Sequence, residues 1–221
     1  MKTLYYSIIL LLVMSLFSAC RPYKYGVIFK PKGIKESFPE IIETLELREG
    51  VVFADVGAQS GVFDAAMATL TKGVTYYIQD IDQKALNKEE WRKIVRYYSE
   101  KNGVPIAQRN QFHLVIGNPK KTNLPNNTFD IIYTNATFHA IRYKKAMMQD
   151  IHQKLKPGGY LFVRDKFVKK GVVERCIDEK CATHLATEEE LMKVMKASRF
   201  KLVKKTPDFQ GYPMYKFQKV Q

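Results

Sequence analysis

Few features of this chain point to nucleic acid or to a metal. Zinc-finger spacing, an RNA-recognition signature and a basic zipper are all missing, and three cysteines with four histidines supply no second half for a metal site around Cys176 and Cys181. No bound metal is expected. Acidic charge is scarce, 22 Asp and Glu against 36 Lys and Arg, which leaves a formal charge of +14. The cations are scattered along the chain rather than gathered in one arm. They read as a solvated basic surface that attracts any polyanion and implies no specific nucleic-acid partner. Internal repeats and low-complexity stretches are absent. The one long apolar run, at the N-terminus, is broken by small residues and then by Cys20, Arg21 and Pro22 before it reaches the roughly 20 residues of a permanent span.

That run has a single early cation, Lys2, followed by uncharged residues built on Ile8 to Met14, and residues 1–19 read as a signal peptide. Leu16-Phe17-Ser18-Ala19-Cys20 resembles a bacterial lipobox. The resemblance implies that Cys20 is lipidated and anchors the protein to a membrane of the bacterial cell envelope, facing the periplasm or the exterior. An ordinary cleaved secretory signal is the plainer alternative. Export agrees with the remaining cysteines: Cys176 and Cys181 are close enough to bridge across a turn and are expected as a disulfide, with two free thiols as the alternative.

Arg21 to Lys35 is rich in Tyr, Lys, Pro and Gly without periodicity, so residues 20–35 read as anchor cysteine and tether. Residues 36–221 then form one domain, since 221 residues at 46% hydrophobic suffice for one sizeable α/β core. A short amphipathic helix is predicted over Ser37 to Leu47. Strands follow at Val51 to Val56, Val74 to Gln79, Phe112 to Ile116, Phe129 to Thr134 and Tyr160 to Val163, with helices at Val62 to Leu70 and Leu86 to Tyr98. Strand and helix in alternation imply a parallel sheet covered on both faces. Thr187-x-x-Glu190 is a capping box that opens a helix reaching Ala197, and two strands close the chain, Lys201 to Lys205 and Tyr212 to Val220. The expected fold is α/β and Rossmann-like: a doubly wound, mostly parallel seven-stranded sheet ending in an antiparallel hairpin.

Ala54-Asp55-Val56-Gly57-Ala58-Gln59-Ser60-Gly61 follows a strand and opens a helix, where a doubly wound sheet places its nucleotide loop. Asp80 stands 19 residues beyond Gly61 at the end of the second strand, where a carboxylate can accept from ribose hydroxyls. Asp82 is its rival and reads better as a cap for the next helix. Further on come Val115-Ile116-Gly117-Asn118, Leu124-Pro125 through Phe129-Asp130, and Leu155-Lys156-Pro157-Gly158-Gly159-Tyr160-Leu161. In content and order these blocks resemble the class I, S-adenosylmethionine-dependent methyltransferases. Gln59 replaces the usual middle glycine of the first motif, and Asn118 replaces a usual Asp.

The resemblance implies S-adenosyl-L-methionine as cofactor, held by Asp55, Gly57, Ala58, Gly61, Asp80, Ile81, Asn118 and Asn135, and a small-molecule acceptor. Methyl transfer from a sulfonium needs alignment and dryness more than acid chemistry, and a base only where the acceptor arrives protonated. Near the mouth, His139 is the candidate base, Asp165 follows the fifth strand, and the loop from Lys166 to Ala186 is a candidate wall of the acceptor pocket. An exported, lipid-anchored binding protein that keeps the fold without catalysis remains the competing expectation.

Overall fold

The computed structural model describes residues 22–172 and 185–220. The segment read as a signal peptide, Cys20 as the expected anchor, and Cys176 and Cys181, expected to pair, lie outside the described residues. Five strands rich in β-branched and aromatic residues run parallel: β1 (Val52–Val56), β2 (Thr75–Asp80), β3 (Gln111–Ile116), β4 (Phe129–Asn135) and β5 (Leu155–Arg164). Two more close the sheet, β7 (Tyr212–Lys219) antiparallel to β5 and β6 (Phe200–Phe209) antiparallel to β7 at the edge, and the sheet order is β3-β2-β1-β4-β5-β7-β6. This is the expected Rossmann-like sheet with its closing hairpin. Strand order reverses direction between β1 and β4, the switch point at which open α/β sheets bind ligands beyond their strand C-termini.

Side-chain alternation along each strand divides the interior into two cores. Phe53, Tyr76, Ile78, Ile131 and Tyr133 face α1 (Pro31–Thr44), α2 (Val62–Ala68) and α3 (Lys88–Asn102). Ala54, Val56, Ile132, Leu161 and Val163 face α5 (Lys144–Lys154) and α6 (Glu188–Ala197). A one-turn helix α4 (Ile106–Arg109) precedes β3. The Thr187 cap holds, its side chain accepting from the Glu190 amide at 3.1 Å; the cap expected at Asp82 does not, since α3 starts at Lys88 with Asn87 accepting from Glu89 and Glu90, while Asp82 accepts from the Lys84 amide in the preceding turn.

Three stretches differ from the sequence reading. α1 starts at Pro31, ahead of the predicted Ser37, because proline suits the first helical turn, where its missing N–H would have no partner anyway. The segment read as a tether packs on the domain: Tyr23 is buried, its hydroxyl bonds the Tyr98 hydroxyl at 3.0 Å, and the Phe29 amide donates to the same Tyr98 oxygen. Lys24 and Tyr25 are held as well, through the Lys24 amide to Glu90 and the Ser60 hydroxyl to the Tyr25 carbonyl. The third is β5, which begins at Leu155 and takes the Pro157-Gly158-Gly159 turn into the strand through an irregularity in its pairing with β4. A Cβ on Gly159 would lie 3.0–3.1 Å from the carbonyl oxygens of Phe129, Asp130 and Lys156, so only glycine lets the two strands close there.

Candidate functional site

The loop between β1 and α2 is shaped by hydrogen bonds to the tip of β2. The Gly57 and Ala58 amides both donate to the Gln79 carbonyl, at 2.9 and 3.0 Å, and the Gly61 amide turns back to the Ala58 carbonyl at 2.9 Å. Gly57 has φ +85, and a Cβ there would stand 2.2 Å from the Thr137 methyl, so the loop after β4 packs directly on the bare glycine. Gly61, at φ +79, is pressed against Trp91 and Ile78 in the same manner. Gln59 also takes a left-handed conformation, φ 55, with its side chain exposed. A residue other than glycine therefore bends the loop as the motif requires, at a cost of about 1–2 kcal/mol in backbone strain.

Asp80 binds this loop to its own strand end. One carboxylate oxygen accepts from the Gln59 amide at 2.7 Å; the other accepts from the Ile81 and Asp82 amides at 2.7 and 2.8 Å. Three of about four acceptor positions are used, which leaves capacity for a hydroxyl. Beside it Ile81 is 53% exposed, an apolar side chain at the rim of a polar turn. Asp80, Ile81, Gly57, Ala58 and Gly61 are thus brought together at the switch point, as the sequence predicts.

Asn118 and Asn135 are placed differently. Asn118 follows β3 next to the loop, since Gly117 donates to the Asp80 carbonyl at 2.9 Å, but its side-chain oxygen accepts from the Lys120 and Lys121 amides and holds a turn. Its exposed side-chain amide is the group left to face a ligand. Asn135, at the end of β4, directs its oxygen to the Arg164 guanidinium at 2.8 Å, and Arg164 goes on to the carbonyls of Phe209 and Gln210. That side chain braces the β4–β5–hairpin junction.

Behind the loop lies a group of carboxyls that the sequence reading only half identified. Asp55 is buried in β1 with one oxygen lacking a hydrogen-bond partner among the described residues, and Asp64, in the first turn of α2, is fully buried with neither oxygen partnered. Burial, reinforced by the neighbouring Asp80, pushes Asp55 up to about 8, and burial with the Asp55 charge raises Asp64 well above the usual carboxylate range. Asp80 is raised as well, mainly by burial, against the lowering effect of its three amide donors. Asp64 was not legible: an acid in the first turn of a helix ordinarily marks a solvated N-terminus, and only the tertiary packing buries it.

At the same end of the sheet, the turn Phe138–Ala140 follows β4 and Asp165 follows β5. His139 Nδ1 lies 2.7 Å from one Asp165 oxygen, and the His139 amide donates to the other at 2.8 Å. Among the described residues, no cluster of three His, Cys, Asp or Glu could hold a metal ion, and no helix is long and apolar enough to cross a membrane.

Comparison with known proteins agrees with this architecture. Residues 54–161 match the family model described as a methyltransferase domain. Human arsenite methyltransferase is 24% identical over 149 residues, covering 62% of this chain and 40% of that protein. Phosphoethanolamine N-methyltransferase 3 of Arabidopsis thaliana is 26% identical over 141 residues, covering 64% of this chain and 26% of that one. The chain thus spans less than half the length of these curated relatives. Among solved structures, a SAM-dependent methyltransferase from Aquifex aeolicus superposes with a TM-score of 0.59 at 18% identity, covering 87% of this chain and all of that one. The [4+2]-cyclase SpnF superposes with a TM-score of 0.60 at 14% identity, covering 85% and 81%. Residues 54–161 thus match a methyltransferase domain, and the sheet around them has the fold of the SAM-dependent methyltransferases.

Proposed function

We propose that the protein transfers a methyl group from S-adenosyl-L-methionine to a small-molecule acceptor. The observation that carries this reading is the convergence of the Gly57–Gly61 loop on Asp80 at the switch point, with the exposed Ile81 beside it. The residues present fit the cofactor. Ile81 offers an apolar surface to a purine, Asp80 keeps acceptor capacity for a ribose hydroxyl, and glycine at 57 and 61 keeps the backbone close. The Asp80 carboxylate at the loop is an acidic group suited to a cationic ligand, whereas Asp55 and Asp64 lie buried behind it where burial favours their neutral forms. The bound cofactor would supply an activated methyl on a positively charged sulfur. The protein's own work is then to align the acceptor, keep water out and manage any proton the acceptor brings.

Calorimetric titration with S-adenosyl-L-methionine and S-adenosylhomocysteine should show saturable heat for the wild-type chain, reduced at least tenfold in affinity for Asp80→Asn. No heat with either ligand would refute the reading and leave the competing one, a binding protein on a methyltransferase frame. The turn-bound oxygen of Asn118 and the strained Gln59 favour that second reading.

The proposal extends to where this happens. The apolar run ending at Ser18-Ala19-Cys20 supports an exported protein anchored through Cys20 to a membrane of the bacterial envelope. The acceptors named for the relatives, arsenite and phosphoethanolamine, support a small acceptor.

A further inference from the structure

Adjacent parallel strands place His139 and Asp165 at one end of the sheet, since Asn135 of β4 lies in register with Arg164 of β5. That is also the end where the Gly57–Gly61 loop meets Asp80. Asp165 is 1% exposed, yet its carboxylate is well supplied with donors: the His139 amide at 2.8 Å, the Lys166 amide at 2.8 Å and the His139 ring at 2.7 Å. An ionised carboxylate only accepts, so the ring nitrogen facing it must be the donor. The neutral imidazole then has its proton on Nδ1 and its basic lone pair on Nε2. The turn that carries the ring is braced at several points. Phe138 is fully buried, Thr137 bonds the Gly57 and Asn135 carbonyls, and Lys144 reaches the His139 carbonyl at 3.5 Å while pairing with Glu190 at 3.7 Å. Through Thr137, the turn that carries His139 leans directly on the cofactor loop. A buried carboxylate, a fixed ring and a small exposed edge of 13% are more than a packing histidine needs.

We propose that His139 is the catalytic base toward the acceptor, that Asp165 is its positioning residue, and that the acceptor reaches the site with a proton on its nucleophilic oxygen or nitrogen. This rests on the methyl-transfer reading and deepens it. Hydroxyl and ammonium compounds are then the substrate class, while thiolates and trivalent arsenic, which arrive with a free lone pair, have no use for the pair. In the balanced step the acceptor's O–H or N–H bond breaks and its proton passes to Nε2. The freed electron pair forms the new bond to the methyl carbon, and the sulfonium leaves with the carbon–sulfur bonding pair as a neutral thioether. Asp165, still ionised, offsets the imidazolium charge until the proton is lost to solvent.

Two measurements test this on the full chain. In nitrogen-15 spectra the neutral His139 ring of the wild type should have its proton on Nδ1, and Asp165→Asn should shift the population toward Nε2; a wild-type ring protonated on Nε2 overturns the proposal without any acceptor. Methyl transfer is then assayed on catechol, phosphoethanolamine and dithiothreitol. His139→Gln and Asp165→Asn should lower kcat about 100-fold or more on the hydroxyl or amine probe, with KM within threefold and S-adenosyl-L-methionine affinity unchanged. Unchanged turnover in His139→Gln, or transfer confined to the thiol, overturns it. Loss of cofactor binding in the wild type would instead sink the methyl-transfer reading while the tautomer result stood.

Discussion

Asp55 shows how far a single residue can be read from sequence and where that reading stops. Its place before Gly57 is legible because glycine spacing and a preceding apolar run leave few other structures for the loop. Its charge state is not, because that depends on burial inside the packed sheet and on the carboxylate of Asp80, 25 residues further on, which only the fold brings near. The sign of the consequence is fixed. Between the unfolded carboxylate value near 4 and the folded value of about 8, the native state holds a proton that the unfolded chain has released, so stability falls as pH rises through that window and levels off above it. Urea denaturation at pH 5.5 and pH 8 should show the wild type weaker at the higher pH. Asp55→Asn, which has no proton to lose, should show a smaller difference, and an equal or larger one would refute the assignment.

Among the elements, the strands and α3 were predictable because their apolar periodicity is strong, whereas α5 was not. Its residues Met147, Met148 and Ile151 face the core, but so do Asp150 and Lys154, which blurs the contrast between its faces. The polar pair is satisfied internally. Asp150 accepts from the Thr122 amide at 2.8 Å and hydroxyl at 2.6 Å and pairs with Lys154 at 3.4 Å, and Lys154 donates to Asn126. Hydropathy cannot register such compensation, because each polar group is invisible without its partner. Removing Asp150 leaves the Thr122 amide and the Lys154 ammonium buried and short of acceptors. Asp150→Ala should therefore lose about 2–4 kcal/mol of stability, measured by urea denaturation, while Lys145→Ala on the exposed side of the same helix should change it by less than about 0.5 kcal/mol.

For the whole molecule, alternation of element types was enough to give the architecture, and the family blocks gave the cofactor end of the sheet. The way the N-terminal segment closes on the domain was hidden, since Tyr, Pro and Gly without a period describe a loose linker as readily as a packed one. The proposed anchor is testable at this scale. In a bacterial host the full chain should fractionate with membranes and yield a lipid-modified peptide beginning at Cys20, and Cys20→Ser should abolish that modification. Recovery of an unmodified wild-type peptide starting at or after Cys20 would exclude lipidation and leave ordinary secretion.

The aromatic clasp of Tyr23 with Tyr97 and Tyr98 has a mechanical corollary. Backbone extends by at most about 3.6 Å per residue, so a fatty group carried on Cys20 would be held within roughly 11 Å of that clasp. The Tyr25 carbonyl, two residues further on, already accepts from Ser60 of the Gly57–Gly61 loop. The loop would consequently stay close to the bilayer, within reach of what diffuses along the lipid surface.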